Sequence, residues 1–283
     1  MTLKHLLSLL LLVSCTARVE IDTDEGTRVL VIYGHITTDT LPHAITISRS
    51  SGYFATTPPE PLTGALVTLS SGELLYALHE EDTLPGTYRL ASPLAGVPGT
   101  NYTLTVSLQH EATTETYRAT STMPLTSEID SIELRPSLVF QQQIEVIGYG
   151  TLPANEKNFL SFHLYRNGKQ LTDKLNDLFI VDDSYFKQKE MHGVLCQLMD
   201  QKEEKSTLVP GDTVTLRIDV LPEEYARFLQ QAQQQVRGSN PIFSGPPANI
   251  STNIQGVHSS TPVAGFFAAF PTRRKTTIYR PDN

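Results

Sequence analysis

The chain has 283 residues, a formal net charge of −8 and a sequence pI near 5.5. That balance excludes an electrostatic nucleic-acid binder, and a total of two cysteines excludes a disulfide-stapled scaffold. The length is sufficient for two domains that each bury a core, so the fold must rest on packing.

Residues 6 to 15 read LLSLLLLVSC after MTLKH. A membrane span needs about 20 consecutive apolar residues. The run from Leu6 to Val13 is shorter and carries Ser8. A basic start at Lys4, a compact apolar stretch and small residues at its end fit a secretory signal over 1–14. Leu12-Val13-Ser14-Cys15 resembles the bacterial lipobox, in which the cysteine thiol receives a diacylglyceryl group, cleavage falls before it, and the new amine is acylated. Each buried methylene contributes about 0.8 kcal/mol, so two or three acyl chains at Cys15 would moor a soluble body to a membrane. Residues 15–27 are polar and acidic and read as the lipidated tether. Asp22, Asp24 and Gly26 lack the remaining ligands of a calcium loop.

From residue 28 the signals are strands. RVLVIYGHI is a buried apolar run. HAITISRS and GALVTL alternate, and YTLTVSL sets Tyr102, Leu104, Val106 and Leu108 against Thr103, Thr105 and Ser107. The stretches SSGE, LPGTY and VPGTNY between them have turn chemistry. This pattern predicts an Ig-like β-sandwich over 28–124. PLTSE at 124–128 reads as a linker, and 128–283 as a second β-rich domain carrying one amphipathic helix, so the fold class is mainly β.

In that second region, IDSIEL opens as a strand and FLSFHLYRNGKQL places Asn167-Gly168 at a type I′ hairpin. DTVTLRIDV alternates through Val214, Leu216, Ile218 and Val220. PEEYARFLQQAQQQVRG then predicts a helix over 222–237. Pro222 and the two glutamates suit its start, Tyr225, Phe228, Leu229, Ala232 and Val236 form its apolar stripe, and a glutamine-rich face is left for solvent. The segment SNPIFSGPPANISTNIQG is irregular in pattern, while VAGFFAAF and KTTIYR read as closing strands. Cys196, in HGVLCQLMD, reads as a buried thiol acting as a small hydrophobe.

No recognised catalytic constellation is present. His79-Glu80 and His110-Glu111 lack the second histidine of HExxH, and there is no GxSxG elbow, P-loop or CxxC. The histidines have no metal spacing, and those in strands, such as His163, read as surface or satisfied core residues. A glycosidase-like carboxylate pair cannot be read from a β-rich sequence. Arg273-Arg274-Lys275 is the basic cluster and reads as a solvated turn. Asp39-Thr40, Asp82-Thr83, Asp130-Ser131 and Asp212-Thr213 resemble an envelope O-glycosylation motif, although Asp-Thr at turns also has local backbone reasons.

Taken together, the lipobox, LVIYGHITTD, PHAITISRSSGYF, PLTGALVTLSSGE, PGTYRL, TMPLTSEIDSI, LVPGDTVTLRIDVLPEEYARFL and NPIFSGPPANISTNIQG with VAGFFAAF resemble the Bacteroidota lipoproteins grouped as domain of unknown function 4249. The resemblance spans nearly all of the mature chain. It implies lipid anchorage through Cys15 to the outer membrane, on its periplasmic or its cell-surface face, and a binding or accessory partnership with a TonB-dependent receptor. It implies neither cofactor, nor metal, nor established catalytic residues. The expected contact region runs from Asn240 to Phe270, with Asn240, Pro241, Phe243, Phe266 and Phe267 as candidates. A structural or adhesive role is the alternative, and a polysaccharide- or peptide-acting enzyme ranks below it.

Overall fold

A computed structural model of the chain describes residues 28–51, 58–110, 113–154, 157–186, 189–237, 250–257, 259 and 261–281. Cys15, the tether, Asn240, Pro241 and Phe243 lie outside the described residues. The protein is mainly β. The first strands are β1 (Leu30–Thr37), β2 (Ala44–Arg49), β3 (Glu60–Pro61), β4 (Leu66–Ser71), β5 (Leu74–Glu81), β6 (Leu84–Leu90), β7 (Asn101–His110) and β8 (Thr113–Thr122). There follow β9 (Glu128–Pro136), β10 (Gln143–Thr151), β11 (Phe159–Arg166), β12 (Lys169–Gln170), β13 (Phe179–Asp182), β14 (Glu190–Asp200) and β15 (Thr213–Leu221). Helix α1 (Glu223–Arg237) precedes β16 (Gln255–Gly256), β17 (Val263–Phe270) and β18 (Thr272–Ile278). No helix among the described residues is long and apolar enough to cross a membrane.

The first body is one continuous ten-stranded sheet in the order β16-β8-β7-β4-β5-β6-β2-β1-β17, with β3 on β2. Alternation directs Ile32 and Ile36 of β1, Val67 and Leu69 of β4, and Leu104 and Val106 of β7 into one core. The two ends of the sheet meet without a regular ladder. Ser121 Oγ accepts the Ala269 N–H at 2.9 Å, and the Asn253 side-chain amide both accepts from Phe267 N and donates to Phe267 O and Thr120 O. A side-chain amide carries the same donor and acceptor as a peptide, so Asn253 does the work of a missing strand residue.

In the second body, the three-stranded sheet β14-β10-β9 packs on a five-stranded sheet, β12-β11-β15-β18 with β13 on β11. Leu160, Phe162, Leu164, Leu216 and Ile218 fill the space between them. Cys196 is fully buried there as expected, and burial pushes its thiol pKa up to about 12. The Asn167-Gly168 hairpin also forms, with φ of 50° and 78°, both positive as a type I′ turn requires.

Two expectations are revised. The region expected as a second domain gives part of its length to the first body, because β17 pairs in parallel with β1 from Leu30↔Val263 to Thr37↔Phe270, and β16 pairs with β8. VAGFFAAF is therefore covered on both sides, which is why it reads as an unbroken apolar run. The helix stripe holds at Tyr225, Phe228 and Leu229 but shifts toward its C-terminal end. Tyr225, Ala226, Leu229 and Gln233 are the buried positions, whereas Val236 is 52% exposed. Gln233 belongs inside because its amide donates to the carbonyls of Leu175 and Leu178 at 2.8 and 2.9 Å.

Candidate functional site

Each strand that feeds a core also has a second face, and four of these faces converge. Tyr33 and His35 of β1 lie on the opposite side from Ile32 and Ile36. Ser161 and His163 alternate with Leu160, Phe162 and Leu164 on β11, and Arg217 and Asp219 alternate with Leu216, Ile218 and Val220 on β15. Phe270 of β17 joins them, and Tyr225 and Leu229 of α1 close the space. Together they line a cavity of about 420 Å³ between the two bodies, with Gln170, Thr172, Asp173 and Lys174 also on its wall.

The electrostatic centre is the Asp219 carboxylate, whose side chain is 2% exposed. Arg217 donates from Nε and Nη2 to its two oxygens, each at 2.7 Å, and His163 Nε2 lies 3.0 Å from Oδ2. Tyr165 accepts a longer bond from Arg217 Nη1 at 3.5 Å. Burial acts to raise the Asp219 pKa, but Arg217 and His163 outweigh it and hold the carboxyl below its ordinary value. Burial likewise acts to lower the Arg217 pKa, and Asp219 reverses the sign. Both groups are therefore charged at neutral pH, and neither tolerates loss of its partner.

The imidazoles differ from that pair. Burial takes the His35 pKa down to about 4, against the weaker upward pull of Asp219, so this ring is neutral at pH 7. His35 Nδ1 and His163 Nδ1 are both buried without a hydrogen-bond partner. Buried polar atoms are normally bonded, which makes two such atoms on one cavity informative. Above them, the Tyr33 and Tyr225 hydroxyls are 2.8 Å apart, and burial, with the neighbouring Tyr33, raises the Tyr225 pKa. Tyr225 also packs on Phe266 and Phe270, at ring centroid distances of 5.3 and 5.7 Å.

A serine, a histidine and an aspartate thus stand close together, but their order is wrong for nucleophilic catalysis. Ser161 Oγ is 3.4 Å from His163 Nε2, the same nitrogen that faces Asp219. In a working relay the acid holds one nitrogen and the nucleophile gives its proton to the other. Here Nε2 carries its proton toward the carboxylate and cannot accept one from Ser161. Among the described residues, no three His, Cys, Asp or Glu side chains gather as a metal site.

The residues singled out from sequence fall elsewhere. Phe267 is fully buried in the first core, and Phe266 is 3% exposed within the aromatic cluster. Neither forms an exposed contact face, because β17 is sandwiched between the first core and α1. Phe266 does edge a groove of about 920 Å³ together with Arg118, Arg227, Gln231 and Asn253. The basic cluster is partly neutralised: Arg274 makes a bidentate pair with Asp39 at 2.6 and 2.7 Å, and Arg273 lies 3.8 Å from Glu128. Asp212 is likewise engaged, by Arg166 and Asn167. Of the cavity residues, His35, Arg217 and Asp219 were not singled out from sequence, and His163, expected as a surface or satisfied core residue, has a buried Nδ1 without a partner. The available signal was TLRIDV, where an arginine and an aspartate two apart must share one face of a strand.

A comparison with curated proteins finds no match. The family model for a domain of unknown function, DUF4249, matches residues 16–276, and the chain belongs to that family.

Proposed function

We propose that this chain is a lipid-tethered binding module of the bacterial outer membrane, moored through Cys15 and working beside a TonB-dependent receptor. The cavity between its bodies takes a small hydroxylated ligand. The observation that supports this reading is the pairing of two unpartnered imidazole nitrogens with aromatic walls. His163 directs its Nε2–H to Asp219 and leaves its Nδ1 without a partner. Neutral His35 adapts its tautomer. A hydroxyl both donates and accepts and so suits both rings, and Tyr33, Tyr225 and Phe270 offer flat apolar surface to a ring-shaped ligand. The volume lies within the roughly 300–1,000 Å³ range of small-molecule sites. Within this reading the first body is an Ig-like support, and tethering raises the local concentration at the receptor so that a weak contact suffices.

Calorimetric titration with monosaccharides, disaccharides and cyclitols tests the ligand class. Saturable binding that is lost in His163→Phe, with an unchanged circular dichroism spectrum, is the expected result. Silence across the whole panel would discard this ligand class. The anchor and the partner have separate tests. Cys15→Ser should abolish metabolic labelling by a fatty acid, and a receptor should co-purify after mild solubilisation. An adhesive role is distinguished by self-association of the purified chain, and a hydrolase by turnover of the same sugars.

A further inference from the structure

The β9–β10 hairpin ends in Ser137-Leu138-Val139-Phe140-Gln141-Gln142, and its tip does the opposite of what soluble turns do. Leu138 is 100% exposed, Val139 77% and Phe140 48%. Three consecutive exposed apolar residues are a fault in a soluble protein unless they have a use. We propose that this tip inserts into the interfacial layer of a lipid bilayer.

Three features favour lipid as the occupant. The first is charge. From Pro136 to Ile144 the chain carries no ionisable side chain, and the flanking Arg135 and Glu145 are paired with each other at 2.9 Å, so no ion must be stripped of water on entry. The second is backbone satisfaction, which hydrocarbon demands and water does not. Ser137 Oγ accepts the N–H groups of Val139 and Phe140 at 3.2 and 3.0 Å while donating to Glu145 at 2.8 Å. Ser137 N bonds Gln143 O, and Gln142 O accepts from Gln201 N. The tip is thus held in shape with those amides already occupied. The third is area. Three side chains fall well short of the roughly 800 Å² per partner that a stable protein interface buries, which argues against a second copy of the chain. A bilayer asks only for apolar surface, with no complementary shape.

The chain contains no tryptophan, so one introduced at the tip reports on the tip alone. The experiment uses the full chain with Cys15→Ser, carrying either Phe140→Trp or, as a control on the first body, Leu75→Trp at a position 70% exposed. Each is mixed with vesicles of phosphatidylcholine, or of equal parts phosphatidylethanolamine and phosphatidylglycerol. Phe140→Trp emission should shift to the blue and be quenched by bromine on the lipid chains, while Leu75→Trp stays unchanged. Adding Leu138→Asp, at a site too exposed to disturb folding, should weaken the tip's partitioning on the order of ten- to a hundredfold. Because the readout is local, it stands apart from the lipid reading of Cys15. Four outcomes would overturn the proposal: no shift with either vesicle, equal shifts at both sites, indifference to Leu138→Asp, or a concentration-dependent shift without vesicles, which would assign the tip to self-association.

Discussion

On one side of β11 and β15, Leu160, Phe162 and Leu164 face Val220, Ile218 and Leu216, and all are buried in the second core. On the other side of the same two strands, Ser161 is registered with Asp219 and His163 with Arg217. Both faces are shielded from water, yet they follow different rules. The core side is stabilised by apolar area and close packing, and any group of the right shape serves. The junction side is stabilised only while each charge keeps its partner, because burial without pairing costs far more than a lost contact. The comparison teaches that alternation divides a strand's residues between two faces without saying what each face will meet.

The largest test of that difference is at Asp219. Asp219→Leu alone strands the Arg217 charge and should cost about 3–5 kcal/mol in urea denaturation at pH 7. Adding Arg217→Met should return most of it, since two matched apolar residues replace a pair that must be desolvated. On the core side, Phe162→Ala should cost a similar amount, about 3–5 kcal/mol, through lost transfer energy and a cavity, and no single partner change restores it. If the double junction variant is no better than the single, the two faces follow one rule and the distinction fails.

Acid sharpens the contrast next. His35 titrates near 6.5 when unfolded and about 4 when folded, so its burial is without penalty above pH 6.5. As the pH falls toward 4, the unfolded chain takes up a proton first, and stability declines by roughly 2–3 kcal/mol. His43, also lowered mainly by burial, adds a loss of the same sign. His35→Gln should flatten the profile between pH 6.5 and 4, leaving the share of His43; an unchanged profile would mean that His35 is not the group being desolvated. Smaller effects are expected on α1. Gln233→Leu leaves two carbonyls unpaired and should cost about 1–2 kcal/mol, whereas Val236→Ala at the exposed position should change stability by less than about 0.5 kcal/mol. The opposite ranking would restore the simple amphipathic stripe.

Local patterns reached far into the fold. YTLTVSL, DTVTLRIDV and the Asn167-Gly168 turn announced their structures because a period of two and a positive φ are properties of a few adjacent residues. The helix was legible for the same reason, with Tyr225 and Leu229 on its buried face, but the burial of Gln233 was not. A glutamine becomes an interior residue only when carbonyls such as those of Leu175 and Leu178 happen to stand opposite, and the sequence carries no mark of that. The same limit hid the cavity. His35 and Asp219 are more than 180 residues apart, and the chance that they face one another depends on how two sheets are laid together.

What the sequence determined by itself was the mainly β character, the hairpin, the helix, the inert Cys196 and membership of the DUF4249 family, all set by patterns along the chain. Only the tertiary structure decided that β17 crosses back to pair with β1 and that Asn253 seams the sheet. It alone turned the polar faces of β1, β11 and β15 inward on one another. The reason is physical: a strand's geometry chooses which side each residue takes, and the packing of distant strands chooses whether that side meets water, hydrocarbon or an opposite charge.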